Sequence, residues 1–268
     1  MTQDERRLYL IQALLKELPQ YAGVAIPGDE SGQQQLLRSL FNLRPPLPAD
    51  EAFLKIQDAY LSQRVRERGT TDAASLVPSE VNPRIFLWQG DITTLKCDAI
   101  VNAANSALLG CFQPCHSCID NIIHTFSGVQ LRLRCHELMK AQGHPEPTGT
   151  AKITPGYNLP CQQVLHTVGP IVSGPLQSSD CDLLAQCYRS CLELAVAHGV
   201  KSLTFCCIST GVFHFPQDQA ARIALESVST FLKTDQTLQQ VIFNVFTDTD
   251  FNLYKQLLTH TPPTVTHR

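Results

Sequence analysis

The sequence predicts an α/β domain built around a mixed, mostly parallel sheet with helices on both faces, preceded by a helical N-terminal extension. Two observations carry this. From Arg84 onward, short apolar runs alternate with amphipathic stretches of helical length, the pattern of parallel strands joined by crossover helices. Before residue 80 only helical periodicity is found. The boundaries read as 1–80 for the extension and 84–260 for the α/β domain. Gly69-Thr70-Thr71-Asp72 and the polar segment to Pro83 form a linker between them.

Taken in order, Arg7–Lys16, Gln35–Phe41 and Glu51–Arg64 have the spacing of amphipathic helices. Pro45, Pro46 and Pro48 separate the last two. Ile85–Trp88 and Ala99–Ala103 read as strands, and Cys118–Lys140 as one long helix with Leu131, Cys135 and Leu138 on its apolar side. Ala151–Thr154 and Val164–Val168 follow as strands. Asp182–His198 is a helix that Gly199 is suited to end. Leu203–Ile208 is a buried strand, Asp218–Leu232 a helix, Val241–Thr247 a strand and Asp250–Leu258 a closing helix.

Composition narrows the function. Of 268 residues, 43% are hydrophobic and 17% charged, with a net charge of −3, as expected of a globular protein. No Lys/Arg run provides the basic face of a nucleic-acid binder. No segment approaches the roughly 20 consecutive apolar residues that span a bilayer, and the polar start lacks the apolar core of a signal peptide. The expected location is the cytoplasm, with no membrane and no nucleic-acid partner. Thiols stay reduced there, so the 11 cysteines are not a disulfide framework. Cys97, Cys187, Cys191, Cys206 and Cys207 read as small buried hydrophobes.

The densest chemistry lies in Cys111-Phe112-Gln113-Pro114-Cys115-His116-Ser117-Cys118, after Asn102-Ala103-Ala104-Asn105 and before Asp120-Asn121-Ile122-Ile123-His124. Thiolate and imidazole are the ligands zinc prefers. The spacing is not that of paired C-x2-C fingers, so one loop would supply most ligands and leave a position open for chemistry. The alternatives are four reduced residues with no metal, or a closed structural site using all four. Asp120 and His124 share one helix face. Asp120 suits a water-positioning or dipole-stabilising role, and His124 reads as a core histidine. Asn102 and Asn105 offer amide donors and acceptors suited to ribose hydroxyls, or to turn backbone. Asp91, in Gly90-Asp91-Ile92, suits an exocyclic amine, and on its own reads as a cap. Ser209-Thr210-Gly211-Val212-Phe213, between a buried strand and a helix, suits a phosphate.

In combination and order, these stretches resemble the macrodomain, the ADP-ribose-binding α/β fold, over roughly residues 84–258. Hydrolases of the MacroD type carry a glycine-rich run where this chain has Cys111–Cys118. The replacement resembles the zinc-dependent macrodomains of microbial ADP-ribosyl hydrolases, encoded beside a sirtuin-type ADP-ribosyltransferase and a lipoyl-carrier protein related to glycine-cleavage protein H. Their C-x4-H-x-C loop falls on Cys111, His116 and Cys118 and leaves Cys115 outside.

The resemblance implies adenine at Asp91 and Ile92, with Phe251 stacking, and the distal ribose at Asn102 and Asn105. It places pyrophosphate at Ser209, Thr210, Gly211, Val212 and Phe213. Asp120 and Asn105 would be catalytic, and Zn²⁺ the cofactor. The expected function is removal of mono-ADP-ribose from acidic residues of a protein substrate, with the lipoyl carrier as the implied target. The rival is a module that binds ADP-ribose without cleaving it and uses zinc structurally.

Overall fold

The computed structural model describes residues 1–259; the expected domain end at 260 lies outside the described residues. The extension holds three helices, α1 (Gln3–Glu17), α2 (Glu30–Leu43) and α3 (Glu51–Arg68). Each starts on a side-chain cap: Thr2 in a capping box with Glu5, Asp29 accepting from Gly32 N–H, and Asp50 accepting from Phe53 N–H. Their apolar faces meet in one cluster containing Leu10, Leu14, Leu37, Leu40, Phe53 and Leu61. At the proline-rich turn Arg44 is buried, yet Glu17 takes it on both oxygens at 2.6 and 2.7 Å. The Leu47 and Pro48 carbonyls accept its remaining donors, so the charge is satisfied.

In the segment expected to be a linker, β1 (Thr71–Asp72) pairs in parallel with β3 (Leu95–Lys96). The main sheet comprises β2 (Ile85–Gln89), β4 (Ala99–Ala103), β5 (Ala151–Pro155), β6 (Gln163–Thr167), β7 (Ser202–Phe205) and β8 (Gln240–Val245). Their order is β2-β8-β7-β4-β6-β5. All pairs are parallel except β5 with β6. The central β4 is apolar and buried along nearly its whole length, whereas the edge β5 is only partly covered.

The remaining helices are α4 (Ile119–Ser127), α5 (Val129–Gln142), α6 (Ser178–Ala197), α7 (Gln217–Leu232) and α8 (Asp248–Thr259). Helices α6, α7 and α8 pack in succession, α6 on β5 and β6 and α8 on β2; α4 lies on β4 and carries α2 on its outer side. No helix among the described residues is long and apolar enough to cross a membrane.

Two sequence expectations are corrected. The helix expected over Cys118–Lys140 is two, broken at Gly128, whose φ is +100°. That φ is what favours glycine; a Cβ there would also stand 2.7 Å from the ends of the Gln57 and Gln130 side chains. The runs 203–208 and 241–247 leave the sheet after Phe205 and Val245. Their last residues turn out at the carboxyl ends of the strands, where α/β sheets bind ligands.

Candidate functional site

Asn102 sits near the end of β4, fully buried, and its Nδ2 donates to Asp120 Oδ1 at 2.8 Å. Asn105 Nδ2 donates to Asp120 Oδ2 at 3.2 Å and to the Gly110 carbonyl at 3.0 Å, while its Oδ1 accepts from Ala107 N–H. Each carboxylate oxygen therefore receives one amide. The Asn102 amide is itself oriented from behind: Nδ2 lies 3.2 Å from His166 Nδ1, and His166 Nε2 lies 2.9 Å from Thr154 Oγ1. Thr154 donates to the Val164 carbonyl. Its oxygen thus accepts from Nε2–H, and Nδ1 is left as the acceptor. Burial holds His166 down at about 4, so the ring stays neutral and this polarity is fixed.

Burial raises the Asp120 carboxyl to about 6, against the pull of Asn102, Arg132 and Asn105. His124 Nε2 is 3.5 Å from Asp120 Oδ1. Burial keeps its ring neutral, well below the ordinary range, with Arg132 and His166 adding to the effect. Gly110, at φ +76°, gives that ring room; a Cβ there would meet it at 2.7 Å.

On the loop before α4, one donor atom each from Cys111, His116 and Cys118 lie within 4.8 Å of one another, with Cys111 Sγ 3.6 Å from His116 Nδ1. Burial pushes the Cys118 thiol up to about 11, and neighbouring Cys111 adds to the rise. A donor set of two sulfurs and one imidazole nitrogen at this spacing fits a thiophilic divalent ion, beside which both sulfurs would be thiolates.

Cys115 faces elsewhere. At φ +53° it turns its thiol toward α2, donating to the Gln35 carbonyl at 3.4 Å, with Ser39 Oγ 3.3 Å away. It lines a cleft of about 570 Å³ between the extension and α4, together with Arg38, Tyr60, Arg64 and Phe126. A second grouping of ligand atoms, His124, Cys135 and His166, is fully buried, and its His166 is already committed to Asn102 and Thr154.

The Ser209–Phe213 loop is closed by Phe215 N–H donating to the Ser209 carbonyl, and is tied down by Val172 N–H donating to the Phe213 carbonyl. Ser209 is buried at φ +65°, and its Oγ has no partner among the described residues. Thr210 Oγ1 donates to the Cys207 carbonyl. Gly211 and Val212 are exposed, Phe213 half-buried. The amides of Gly211, Val212 and Phe213 take no acceptor among the described residues, the arrangement of an anion nest.

Asp91 caps the turn Ile92–Thr94 by accepting from Thr93 N–H, and pairs with Arg68 at 2.9 Å. Ile92 is buried. Phe251 lies on α8, packed partly against the core, with Lys255 over its ring. The exposed aromatic at this edge is Phe246, 76% exposed. It follows β8 directly, and its carbonyl accepts from Gln89 Nε2.

Phe246 escaped the sequence reading, as did Thr154, His166, Arg38, Asn42 and Arg132. A lone aromatic after an apolar run was the one available signal for Phe246. The other five sit in ordinary strand or helix patterns.

Residues 101–224 match the Macro domain family model. The chain is 57% identical to a "Protein-ADP-ribose hydrolase" of Treponema medium, over 96% of this chain and 100% of that one. It is 42% identical to a "Probable bifunctional ADP-ribose hydrolase/ADP-ribosyltransferase" of Fusarium oxysporum f. sp. cubense, over 83% of this chain and 40% of that one. Among solved structures it resembles the Trypanosoma brucei macrodomain in complex with ADP-ribose, at 31% identity and a TM-score of 0.64, covering 82% of this chain and 94% of that one.

Proposed function

The chain belongs to the macrodomain family, and from that premise we propose that it is a zinc-dependent protein-ADP-ribose hydrolase acting on mono-ADP-ribosylated acidic residues. One observation carries the reading: the Cys111, His116 and Cys118 donors converge, and Cys118 stands two positions before a buried Asp120 held by Asn102 and Asn105. The names of relatives and the ADP-ribose complex of a similar fold support it.

Cys111, His116 and Cys118 would hold the zinc, which with three protein ligands keeps a position open and supplies Lewis acidity. The chain's own groups do the rest. Asp91 and Ile92 take adenine, with Phe246 or Phe251 against the ring. Ser209 Oγ and the Gly211–Phe213 amides receive pyrophosphate oxygens. Asn102 Oδ1, buried and without a partner among the described residues, is the acceptor left for a distal ribose hydroxyl. Asp120 holds the attacking water and takes its proton. The protein works in the cytoplasm, where its free cysteines stay reduced. Its partner enzyme is a sirtuin-type transferase and its substrate a lipoyl-carrier protein. The Fusarium relative, whose name joins both activities, supports the pairing, while the carrier rests on the resemblance alone.

The test is hydrolysis of a protein mono-ADP-ribosylated on Asp or Glu, with chelator and then with zinc restored. Cleavage that is lost and regained supports the reading; binding without cleavage under all conditions makes the chain a reader. Free ADP-ribose should raise the melting temperature, since a ligand of the folded state stabilises it. ADP should raise it less, because it lacks the distal ribose. Equal shifts would remove Asn102 and Asn105 from the ligand site.

Gly169 offers a sharper probe of the phosphate loop, because a Cβ there would meet Ser209 Oγ at 2.0 Å. Gly169→Ala must push Ser209 aside, and ADP-ribose affinity is expected to fall about tenfold, near 1.4 kcal/mol. Calorimetry giving an unchanged Kd would show that Ser209 does not bind the ligand.

A further inference from the structure

The Cys111–Cys118 loop has little structure of its own. Within it the backbone makes one internal hydrogen bond, His116 N–H to the Gln113 carbonyl at 3.3 Å. Pro114 cannot donate, and Cys115 adopts a left-handed φ of +53°, which a non-glycine residue keeps only when its surroundings enforce it.

The enforcement comes from α2. Asn42 is 1% exposed and uses both ends of its amide: Oδ1 accepts from Cys115 N–H at 2.9 Å, and Nδ2 donates to Thr125 Oγ1 at 2.9 Å. One turn earlier, Arg38 Nη2 donates to the His116 carbonyl at 2.7 Å and to Asn121 Oδ1 at 2.9 Å. Asn121 relays the contact, its Nδ2 donating to the Gln113 and Cys111 carbonyls at 2.9 and 3.3 Å. Arg132 closes the arrangement from α5. It donates to the Leu109 carbonyl just before the loop and to the Phe41, Asn42 and Arg44 carbonyls at the end of α2. The peptides that flank the Cys115–His116 bond, through Cys115 N–H on one side and the His116 carbonyl on the other, are thus both held by one helix of the extension.

We propose that α2 is the structural half of the metal site: Arg38 and Asn42 are positioning residues that fold the loop so that Cys111, His116 and Cys118 converge. Their hydrogen bonds at the loop go to its backbone, at Cys115 N–H and the His116 carbonyl, and to Asn121, which bonds that backbone in turn. The inference rests on the zinc reading above for its metal readout, but not for its structural one. Docking of the extension and metal loading then share free energy and favour each other. The extension, whose purpose its sequence does not disclose, becomes a requirement for the site.

The experiment uses the full-length chain with Asn42→Ala, Arg38→Ala and, as a control on the same helix away from the loop, Gln34→Ala. Zinc affinity is read by competition with a chromogenic chelator, and loop order by amide hydrogen exchange over residues 111–118. Asn42→Ala and Arg38→Ala are expected to weaken zinc binding at least tenfold and to speed exchange in the loop, while Gln34→Ala matches the parent. Arg38 is half-exposed, so its variant keeps the test open if Asn42→Ala fails to fold. Wild-type zinc affinity together with wild-type loop exchange in the folded variants overturns the proposal. A parent protein that binds no zinc ends the metal reading instead, and loop exchange alone then decides the role of α2.

Discussion

Cys118→Ser is expected to lose zinc and hydrolysis together, whereas Cys115→Ser keeps both. The two thiols are three residues apart in a loop of soft ligands, so composition alone treats them alike. Geometry separates them. Cys118 contributes its donor atom to a set confined within 4.8 Å with Cys111 and His116. The Cys115 thiol is turned toward the Gln35 carbonyl and Ser39. Adjacent Cys115 and His116 direct their side chains apart, while the alternate spacing of His116 and Cys118 lets both point inward. Serine at 115 keeps the backbone bond to Asn42 and a hydroxyl donor for Gln35.

Lewis-acid stabilisation is worth several kcal/mol, so removing Cys118 should cost a hundredfold or more in single-turnover rate, about 1.4 kcal/mol per tenfold. Elemental analysis and the rate are measured on the same preparations. Loss of zinc from Cys115→Ser with the fold intact would mean four protein ligands and a closed, structural site.

The fold was legible because its signals are local. Strands such as Ala99–Ala103 are buried without alternation and apolar but for Asn102, and the helices carry caps and periodicity that a window of a dozen residues reveals. The break at Gly128 was not legible, since the +100° φ there goes with a contact distant in sequence, Gln57 of α3 accepting from Val129 N–H. The same holds within the site. Candidate ligands stood out by residue type, as Cys111, His116 and Cys118 did. The residues that orient them are common types whose roles exist only in three dimensions. Asn42 meets Cys115 across 73 positions and Asn102 meets His166 across 64. Nothing in a helix containing Asn42, or in a strand containing His166, distinguishes a scaffold residue from a positioning one before the chain closes on itself.

Asp120→Asn, nearly the same in shape, is expected to cost about 10²–10⁴ in hydrolysis, the range for removing a positioned general base. The reason is the direction of the bonds around it. A carboxylate accepts on both oxygens, and here each receives one amide, from Asn102 at 2.8 Å and from Asn105 at 3.2 Å. An asparagine side chain offers one acceptor and one NH₂, so one of those amides would face another donor. Neither neighbour can flip to accommodate it. Asn105 is held by the Gly110 carbonyl and Ala107 N–H. Asn102 is held by His166, whose polarity Thr154 sets. The substitution therefore removes the base and sets a donor against one of the ribose-side amides, whereas Asp120→Ala leaves a gap and two unpaired donors. Both variants should lose turnover, with Asp120→Asn also weakening the thermal shift produced by ADP-ribose. Measured together, rate and shift separate the roles: a lost rate with an intact shift in Asp120→Ala marks Asp120 as a group acting on the water. Turnover within about threefold of wild type in both variants would leave hydrolysis to the metal loop alone.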